Sequence, residues 1–298
     1  MNVLEINNLS KQYKNKKAVQ SLDFALESGK CTALLGPNGA GKTTTLNMIA
    51  GLLTSTTGEI QSPLLHPKQD LRTLIGFLPQ YPSFYGWMSG EEYMMFAGEV
   101  CGLEKKEAAT RTAELLQLVS LEDGKKRKIS QYSGGMRQRL GIAQALIHKP
   151  KLILLDEPVS ALDPFGRREV LELMKKLKEE TTILFSTHIL NDAEEVSDHV
   201  LFMNEGKIIE AGSLQDVKKR NAENLINLQF IDAASLYMPL FNKYKVNVNR
   251  DTLVIEVQDI EEAKKDILQI ILREQLPLIK FEMSDVSLEE IFMKVVKK

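Results

Sequence analysis

The spacing of hydrophobic residues changes near residues 89, 149 and 224 of the chain. Before the first change, apolar residues form short runs typical of strands. Val3–Leu9 alternates apolar and polar positions, and Leu22–Leu26 is a second short run. Cys31–Leu35 and Ile75–Leu78 are largely apolar, which is typical of strands buried on both faces. The first part of the chain is therefore predicted to be rich in strands.

Helical spacing dominates from residue 89 to about 149, where Met, Leu and Ala recur and β-branched residues become rare. Ser89 followed by Glu92 has the sequence of a capping box, which predicts a helix start. The expected helices are 89–101, 105–119 and 134–148.

Strands resume after the helical segment. Lys151–Asp156 and Thr182–Ser186 are predicted buried strands, and a helix is expected from Pro164 to about Lys178 because proline is favoured in the first turn. Residues 200–209 are predicted to form a hairpin. Earlier in the chain, Gly51 and Gly58 bracket a segment that we expect to be a polar loop.

The segment from Asn224 onwards predicts a separate α+β module with the order β-α-β-β-α-β and a trailing helix. It contains no glycine loop, metal-binding cluster or catalytic set, so its expected role is contact or regulation. Asn249-Arg250-Asp251 is a predicted hairpin turn. The expected elements are strand 224–230, helix 232–242, strands 244–249 and 252–257, helix 260–274, strand 278–283 and helix 287–297.

Composition and charge narrow the function classes. The formal net charge of −2 gives no basic field that would favour nucleic acid. The two cysteines, Cys31 and Cys101, suit a reducing compartment and suggest neither a disulfide framework nor a metal site. The first residues lack the apolar core of a secretory signal, and no run of 18 or more apolar residues predicts a membrane span. Work at a membrane would require another chain.

A phosphate-binding loop is predicted at Gly36–Thr44, which reads GPNGAGKTT and fits the G-x-x-x-x-G-K-[ST] pattern. It follows the apolar run 31–35 and precedes a predicted helix, which is the context that the pattern requires. Its glycines let backbone N–H groups face an anion, and the helix start adds a partial positive charge. Lys42 can reach the β- and γ-phosphates, and the Thr43 hydroxyl can ligate Mg²⁺.

A second glycine-rich helix start is predicted at Ser133. Serine is a favoured N-cap, but the following Gly134 and Gly135 are costly inside a helix. Their small size leaves the first N–H groups of the helix uncovered, so this start is a second candidate anion site.

Further polar residues follow predicted strands. Asp156 ends an apolar strand, where it can support Mg²⁺, and Glu157 beside it can polarise water. Gln80 follows another strand and is either an Mg²⁺ ligand or a loop residue. His188 lies just past the strand 182–186, at the sheet edge where open α/β sheets bind ligands, although an isolated histidine is commonly structural. Tyr13 is either a platform for a base or an exposed ring.

The order of these motifs resembles the ATP-binding subunits of ATP-binding cassette (ABC) transporters, over about residues 1–215. Tyr132 and Met136 depart mildly from the family, which often has Leu and Gln there. The matching motifs are Walker A at Gly36–Thr44, the Q-loop at Gln80, the signature at Ser133–Met136, Walker B with its glutamate at Asp156 and Glu157, the D-loop at Ser160–Asp163 and the switch histidine His188.

The resemblance implies an α/β fold: a P-loop NTPase, RecA-like core with an antiparallel β subdomain and a helical signature subdomain at about 89–149. The small α+β module is expected over 222–298, after the ATPase domain 1–215. Val286–Phe292 resembles the tail of bacterial subunits linked to drug, antibiotic or lipid export, although Ser-x-x-Glu is also an ordinary capping box.

The resemblance also implies roles for individual residues. Glu157 would orient or deprotonate water, His188 would hold the γ-phosphate, and Lys42 would hold the phosphates. Mg²⁺ would be held by Thr43 and Gln80 with support from Asp156. The implied nucleotide-binding residues are Tyr13, Gly36, Pro37, Asn38, Gly39, Ala40, Gly41, Lys42, Thr43, Thr44, Gln80, Ser133, Gly134, Gly135 and Asp163.

In such a protein two cassettes would close head-to-tail around two Mg-ATP, as a homodimer or with a related cassette. A separate transmembrane permease would hold the subunit at the cytoplasmic face of the membrane, and no nucleic acid would be bound. The aromatic loop Tyr81–Trp87 is either the contact for that permease or part of the core. The alternatives are a soluble cassette ATPase with a non-membrane partner and a regulator that binds ATP without hydrolysis.

Overall fold

A computed structural model of the chain describes residues 1–66, 69–160, 162–221, 224–283 and 286–296. The chain divides into two compact units: Met1–Val217 with Phe292–Lys298, and Lys218–Ile291. The strands are β1 (Asn2–Tyr13), β2 (Lys16–Glu27), β3 (Cys31–Leu35), β4 (Thr57–Gln61), β5 (Ile75–Leu78), β6 (Leu152–Asp156), β7 (Thr182–Thr187), β8 (His199–Asn204), β9 (Lys207–Ser213), β10 (Leu225–Phe230), β11 (Lys245–Asn249), β12 (Thr252–Glu256) and β13 (Leu278–Met283). The α-helices are α1 (Lys42–Ile49), α2 (Gly90–Val100), α3 (Lys105–Leu118), α4 (Gly134–Ala145), α5 (Pro164–Leu177), α6 (Leu190–Val196), α7 (Leu214–Asn221), α8 (Ile260–Arg273) and α9 (Leu288–Val296).

The central sheet of the first unit has the strand order β5-β6-β7-β3-β8-β9. All neighbours up to β8 pair in parallel, and β9 pairs antiparallel with β8. Every residue of β3, β6 and β7 is buried, as the apolar runs predicted. Because the parallel strands point the same way, their carboxyl ends lie along one edge, and the predicted α/β architecture is confirmed.

A second sheet in this unit has the order β2-β1-β4 and is antiparallel. The prediction of a polar loop between Gly51 and Gly58 was wrong for its last residues, because Thr57–Gln61 forms β4. That strand is mostly exposed, so it carries no alternating apolar pattern. Its register pairs Ile60 with Ile6 of β1, where Ile6 joins the core.

The helical segment comprises α2, α3 and α4. The predicted capping box is confirmed, since Ser89 Oγ accepts the Glu92 N–H and Glu92 Oε2 accepts the Ser89 N–H. Buried Met94, Leu115 and Leu140 show which faces of these helices point inwards. Among the described residues no helix is long and apolar enough to cross a membrane.

The second unit is built on an antiparallel sheet with the order β11-β12-β10-β13, and α8 packs on it through Ile267 and Ile271. The prediction of a helix at 232–242 was wrong, because the segment forms two short 3-10 turns, Ala234–Leu236 and Met238–Phe241. Pro239 lacks the N–H that an α-helix would need there.

The predicted hairpin turn of the second unit is confirmed. Asn249 pairs with Thr252, which leaves Arg250 and Asp251 as a two-residue loop. Arg250 has φ 51°, the left-handed conformation that tight hairpin turns require.

Candidate active site

The candidate site lies where neighbouring parallel strands end. The loop 36–41 follows β3, Asp156 ends β6, His188 follows β7 and Gln80 comes two residues after β5. In the sheet these strands are consecutive, in the order β5-β6-β7-β3. The fold therefore brings together residues that are far apart in the chain.

The glycine loop between β3 and α1 is fixed by both conformation and space. Gly41, the N-cap of α1, has φ 109°, and Gly39 has φ 84°, both left-handed. A Cβ on Gly36 would lie 2.2 Å from the Met203 carbonyl oxygen. In the described chain, no side chain caps α1, so its first N–H groups face the loop and can bind an anion.

Lys42, the first residue of α1, is buried and held by that loop. Its side chain is 5% exposed, and Nζ donates to the Gly36 carbonyl at 2.7 Å and to the Pro37 carbonyl at 3.2 Å. The same nitrogen lies 3.5 Å from Glu157 Oε1. A buried cation is thus placed between the phosphate loop and the carboxylate that follows β6.

Asp156 sits at the end of β6 in a network of hydroxyl groups. Ser186 Oγ donates to Asp156 Oδ1 at 2.6 Å, and the Thr43 side chain also hydrogen-bonds this carboxylate. Burial raises the pKa of Asp156, and these two hydrogen bonds offset part of that effect. A buried carboxylate beside a threonine hydroxyl and the phosphate loop fits a site for Mg²⁺, which prefers oxygen ligands.

Glu157 has a left-handed backbone, with φ 51°. Its N–H donates to Ser186 Oγ at 2.9 Å, and its carboxylate is 5% exposed. His188 Nδ1 lies 2.7 Å from Glu157 Oε2, and since a carboxylate accepts, Nδ1 is the donor. Such strained conformations are typical of functional positions, and this one directs the Glu157 carboxylate towards Lys42 and His188.

A cleft of about 750 Å³ opens over the phosphate loop. Tyr13 borders it and is half-exposed, with Lys11 Nζ 5.3 Å from the centre of its ring. The cleft is large enough for a nucleotide and has a cationic floor. Its lining residues are Tyr13, Lys16, Lys17, Ala18, Gln20, Asn38, Gly39, Gly41, Lys42, Thr43, Thr44, Gln80, Glu157, Glu205 and Gly206.

The second glycine-rich helix start does not join this cleft. Ser133 Oγ accepts the Met136 N–H at 3.2 Å, so the predicted N-cap of α4 is present, but Ser133 is exposed. Asp163 caps α5 through the Gly166 N–H at 2.7 Å. A Cβ on Gly135 would lie 3.9 Å from Gly166, so the two helix starts are neighbours. Ala161, within the predicted D-loop, lies outside the described residues.

The aromatic loop after Gln80 is largely exposed. Tyr81, Tyr85 and Trp87 present their rings to solvent, with Trp87 71% exposed, so the core interpretation fails for them. Phe84 differs, since its ring packs edge-on against Tyr93 at 5.1 Å. We call Tyr81, Tyr85, Trp87 and the exposed Phe96 the aromatic surface.

Several residues of the site had no signal in the sequence. Ser186 hydrogen-bonds both Asp156 and the Glu157 N–H, yet it reads as an ordinary strand residue. Arg167 of α5 hydrogen-bonds Asp192 of α6 through Nε at 2.8 Å. The contact of Ser186 with Asp156 could have been predicted only from the order of the parallel strands. The contact of Arg167 with Asp192 could not have been predicted from the residues next to either of them in the sequence.

Comparison with known proteins assigns the class. Residues 19–160 match the family described as ABC transporter, and residues 212–296 match the C-terminal domain of DrrA1-3-like ATP-binding proteins. The chain belongs to the ABC transporter ATP-binding subunits and is an ATPase of that type.

Individual relatives extend over nearly the whole chain. It is 45% identical over 297 residues to the ABC transporter ATP-binding protein YxlF of Bacillus subtilis (strain 168), with 99% of each chain covered. It is 33% identical over 302 residues to the bacitracin transport ATP-binding protein BcrA of Bacillus licheniformis, covering 99% of this chain and 97% of that one. A solved dimeric ATP-binding cassette in a post-hydrolysis state, bound to ADP and Pi, is 28% identical with TM-score 0.64, covering 71% and 98%.

Proposed function

We propose that this chain powers a membrane exporter, and that two cassettes close head-to-tail around two Mg-ATP. The proposal rests on the observation that the two candidate phosphate-binding sites of the chain lie apart. The cleft over the phosphate loop holds Lys42 and Glu157, whereas the glycine-rich turn at Ser133 lies elsewhere on the surface. Each chain therefore has a phosphate cradle and a spare positive helix end, which a second cassette can use.

ATP is the substrate, and the phosphate loop would bind its phosphates through N–H groups of Gly39 and Gly41 and through Lys42. Tyr13 would stack on the base. The remaining loop residues, Gly36, Pro37, Asn38, Ala40 and Thr44, would shape the cradle. From the second cassette, Ser133, Gly134 and Gly135 would contact the γ-phosphate, and Asp163 would set the position of the D-loop.

Mg²⁺ would be held by Thr43 and Gln80, with Asp156 supporting its hydration shell, and it would neutralise charge on the β- and γ-phosphates. The oxygen donors of this set fit that ion. Asp156 is kept in place by Ser186, so its carboxylate can orient water or a hydroxyl group without moving.

Glu157 would take the proton of the attacking water, and His188 would hold the γ-phosphate. In the structure both are tied into one group, with Lys42 Nζ and His188 Nδ1 on the two carboxylate oxygens of Glu157. A bound γ-phosphate would compete for Lys42 and His188 because it carries more charge than one carboxylate. Substrate binding would thereby free Glu157 to act on water.

The aromatic surface is our proposed contact for the permease. Three of its rings follow Gln80 within seven residues, and Gln80 lines the nucleotide cleft. A displacement of the aromatic surface by a partner would therefore be coupled to the position of Gln80. Exposed clustered aromatic rings are typical anchors of protein interfaces. Through this contact the chain would sit at the cytoplasmic face of the membrane.

Export is the direction we favour. BcrA is named for bacitracin transport, and its likeness spans nearly the whole chain, including the C-terminal part. The module at 222–298 is proposed as an accessory domain to the ATPase domain 1–215. The near-neutral charge supports a protein partner over nucleic acid.

The test is ATP-dependent accumulation of bacitracin in inverted membrane vesicles that contain the chain and its co-expressed permease. An exporter fills such vesicles, and Trp87→Ala should reduce both accumulation and co-purification of the permease. Val100→Ala is the matched control, since Val100 is comparably exposed (69%) but lies at the far end of α2, outside the aromatic surface. Permease recovery that is unchanged by Trp87→Ala would contradict the proposed contact, and a permease that never co-purifies would contradict the transporter role.

A further inference from the structure

Charged contacts in two places join α5, the helix that begins after the D-loop, to α6, the helix that begins after His188. Near the starts of both helices, Arg167 Nε and Nη2 donate to Asp192 Oδ1 at 2.8 and 2.5 Å. Further along, Lys175 Nζ donates to Glu195 Oε1 at 2.8 Å. The first contact lies close to the active-site residues, and the second lies two turns of α5 away from them.

Asp192 has an unusual environment for a carboxylate. Its side chain is 3% exposed, and burial raises its pKa, while Arg167 lowers it. Its Oδ2 is buried without a hydrogen-bond partner in the described chain. The whole interaction with Arg167 thus runs through one oxygen, and a buried carboxylate without that cation would be poorly compensated.

Arg167 and Asp192 fix one side of the loop that carries His188. On the other side, β7 is held by pairing with β3 and β6. In the described chain, α6 has no side-chain cap at Ile189, so its first turn depends on other contacts. Asp192 supplies one, because it lies in that turn, four residues after His188, and binds across to α5.

We infer that Arg167 and Asp192 are positioning residues for ATP hydrolysis, which act by holding His188 against Glu157. The inference rests on the proposed role of His188 in hydrolysis. With the contact intact, His188 Nδ1 stays within 2.7 Å of Glu157 Oε2. Without it, the first turn of α6 can shift, and displacements of about 1 Å in a catalytic group can cost about 100-fold in rate.

The test is a double-mutant cycle in the full chain that combines Arg167→Gln with His188→Ala. Arg167→Gln alone should lower kcat about 10- to 100-fold, with little change in the Kd for MANT-ATP, because the phosphate loop is untouched. In the His188→Ala background the same change should have almost no further effect on kcat. Arg167→Lys, which keeps the charge and one donor, should restore part of the rate.

Lys175→Gln is the matched control, since it removes the shorter of the two contacts that Glu195 makes with α5, at a more exposed place, and should leave kcat unchanged. If Arg167→Gln unfolds the chain, the double variant Asp192→Asn with Arg167→Gln takes its place. It removes both charges, so no unpaired charge is left buried. Thermal melting verifies the fold of each variant.

The outcomes separate the inference from the proposed function. If His188→Ala lowers kcat but Arg167→Gln keeps its full effect in that background, or has none by itself, the inference is overturned and the role of His188 stands. If His188→Ala leaves kcat unchanged, the proposed role of His188 fails, and the inference fails with it.

Discussion

The chain contains two glycine-rich helix starts that look alike in sequence and differ in structure. At the start of α1, the N-cap residue is Gly41, and no described side chain caps the helix there. The buried Lys42 Nζ lies 3.5 Å from Glu157 Oε1. At the start of α4, Ser133 closes the first turn by accepting the Met136 N–H, and the turn faces solvent. The first start lies beside residues proposed to act in hydrolysis, whereas the second is capped by Ser133 and has the start of α5 as its neighbour.

This difference indicates a division of labour. Within one chain, the start of α1 has N–H groups and a cation that can hold a phosphate, and beside them the carboxylate that we propose acts on water. The start of α4 offers N–H groups and no other catalytic partner among the described residues around it. In the proposed head-to-tail dimer, a second cassette would bring a nucleotide to it.

The largest effect is expected from Glu157→Gln. Losing the general base should lower hydrolysis about 10²- to 10⁴-fold, while ATP binding persists because Lys42 and the loop are intact. The variant should accumulate as an ATP-bound dimer, which phosphate release and size exclusion with Mg-ATP would measure. A variant that stays monomeric with ATP and hydrolyses at the wild-type rate would contradict both the role of Glu157 and the dimer.

Matched glycine substitutions test the two helix starts separately. Gly36→Ala places a Cβ 2.2 Å from the Met203 carbonyl, so it should cost about 3 kcal/mol of unfolding free energy and abolish ATP binding. Gly135→Ala meets only ordinary contact at 3.9 Å, so it should leave the ATP affinity of the monomer unchanged and, because Ala is the better helix former, should stabilise the fold by up to about 1 kcal/mol. The observable loss for Gly135→Ala should be hydrolysis. If the two substitutions changed ATP affinity equally, the proposed difference between the starts of α1 and α4 would be contradicted.

Asp156→Asn should stabilise the fold while impairing hydrolysis. Burial raises the pKa of Asp156, so the ionised form is disfavoured in the folded chain. That cost is absent below the ordinary carboxyl pKa and fully present above the raised one. The variant should therefore melt about 2–4 °C higher at pH 7, and the gain should shrink as the pH falls towards 4. A variant that melts lower at pH 7 would contradict this account of the network around Ser186.

The smallest effect is expected from removing a serine N-cap, and it tests whether Ser133 does more than cap its helix. Ser133→Ala and Ser89→Ala each remove a serine N-cap, so each should cost about 1 kcal/mol, or about 2–4 °C in melting temperature. Only Ser133→Ala should also reduce hydrolysis, because α2 has no proposed contact with nucleotide. Equal ATPase rates for the two variants would show that Ser133 is a cap and no more.

Features encoded by neighbouring residues could be predicted from the sequence. The phosphate loop, the strand ending at Asp156 and the capping box at Ser89 each occupy one short segment, so local pattern and chemistry coincide. The continuous apolar runs predicted strands buried on both faces, but not the order of those strands in the sheet. The α/β architecture was predicted from the order of the motifs, through the resemblance to the family.

Features that depend on tertiary packing could not be predicted. Strand β4 reads as a polar loop because its side chains are mostly exposed, and only pairing with β1 defines it. The segment 232–242 has helical spacing, but Pro239 interrupts it. The contacts of Lys42 with Glu157 and of Arg167 with Asp192 join distant segments, and the roles proposed for these residues stay predictions.

The most direct test of the central claim mixes two inactive variants. Lys42→Ala keeps the turn at Ser133 but loses its own phosphate cradle, and Gly135→Asp keeps the cradle but places a negative charge at the turn. Each should be nearly inactive alone. In a mixed dimer the intact turn of one chain meets the intact cradle of the other, so the mixture should hydrolyse ATP well above either variant. A mixture as inactive as its components, or wild-type hydrolysis by Gly135→Asp alone, would contradict a site shared between two chains.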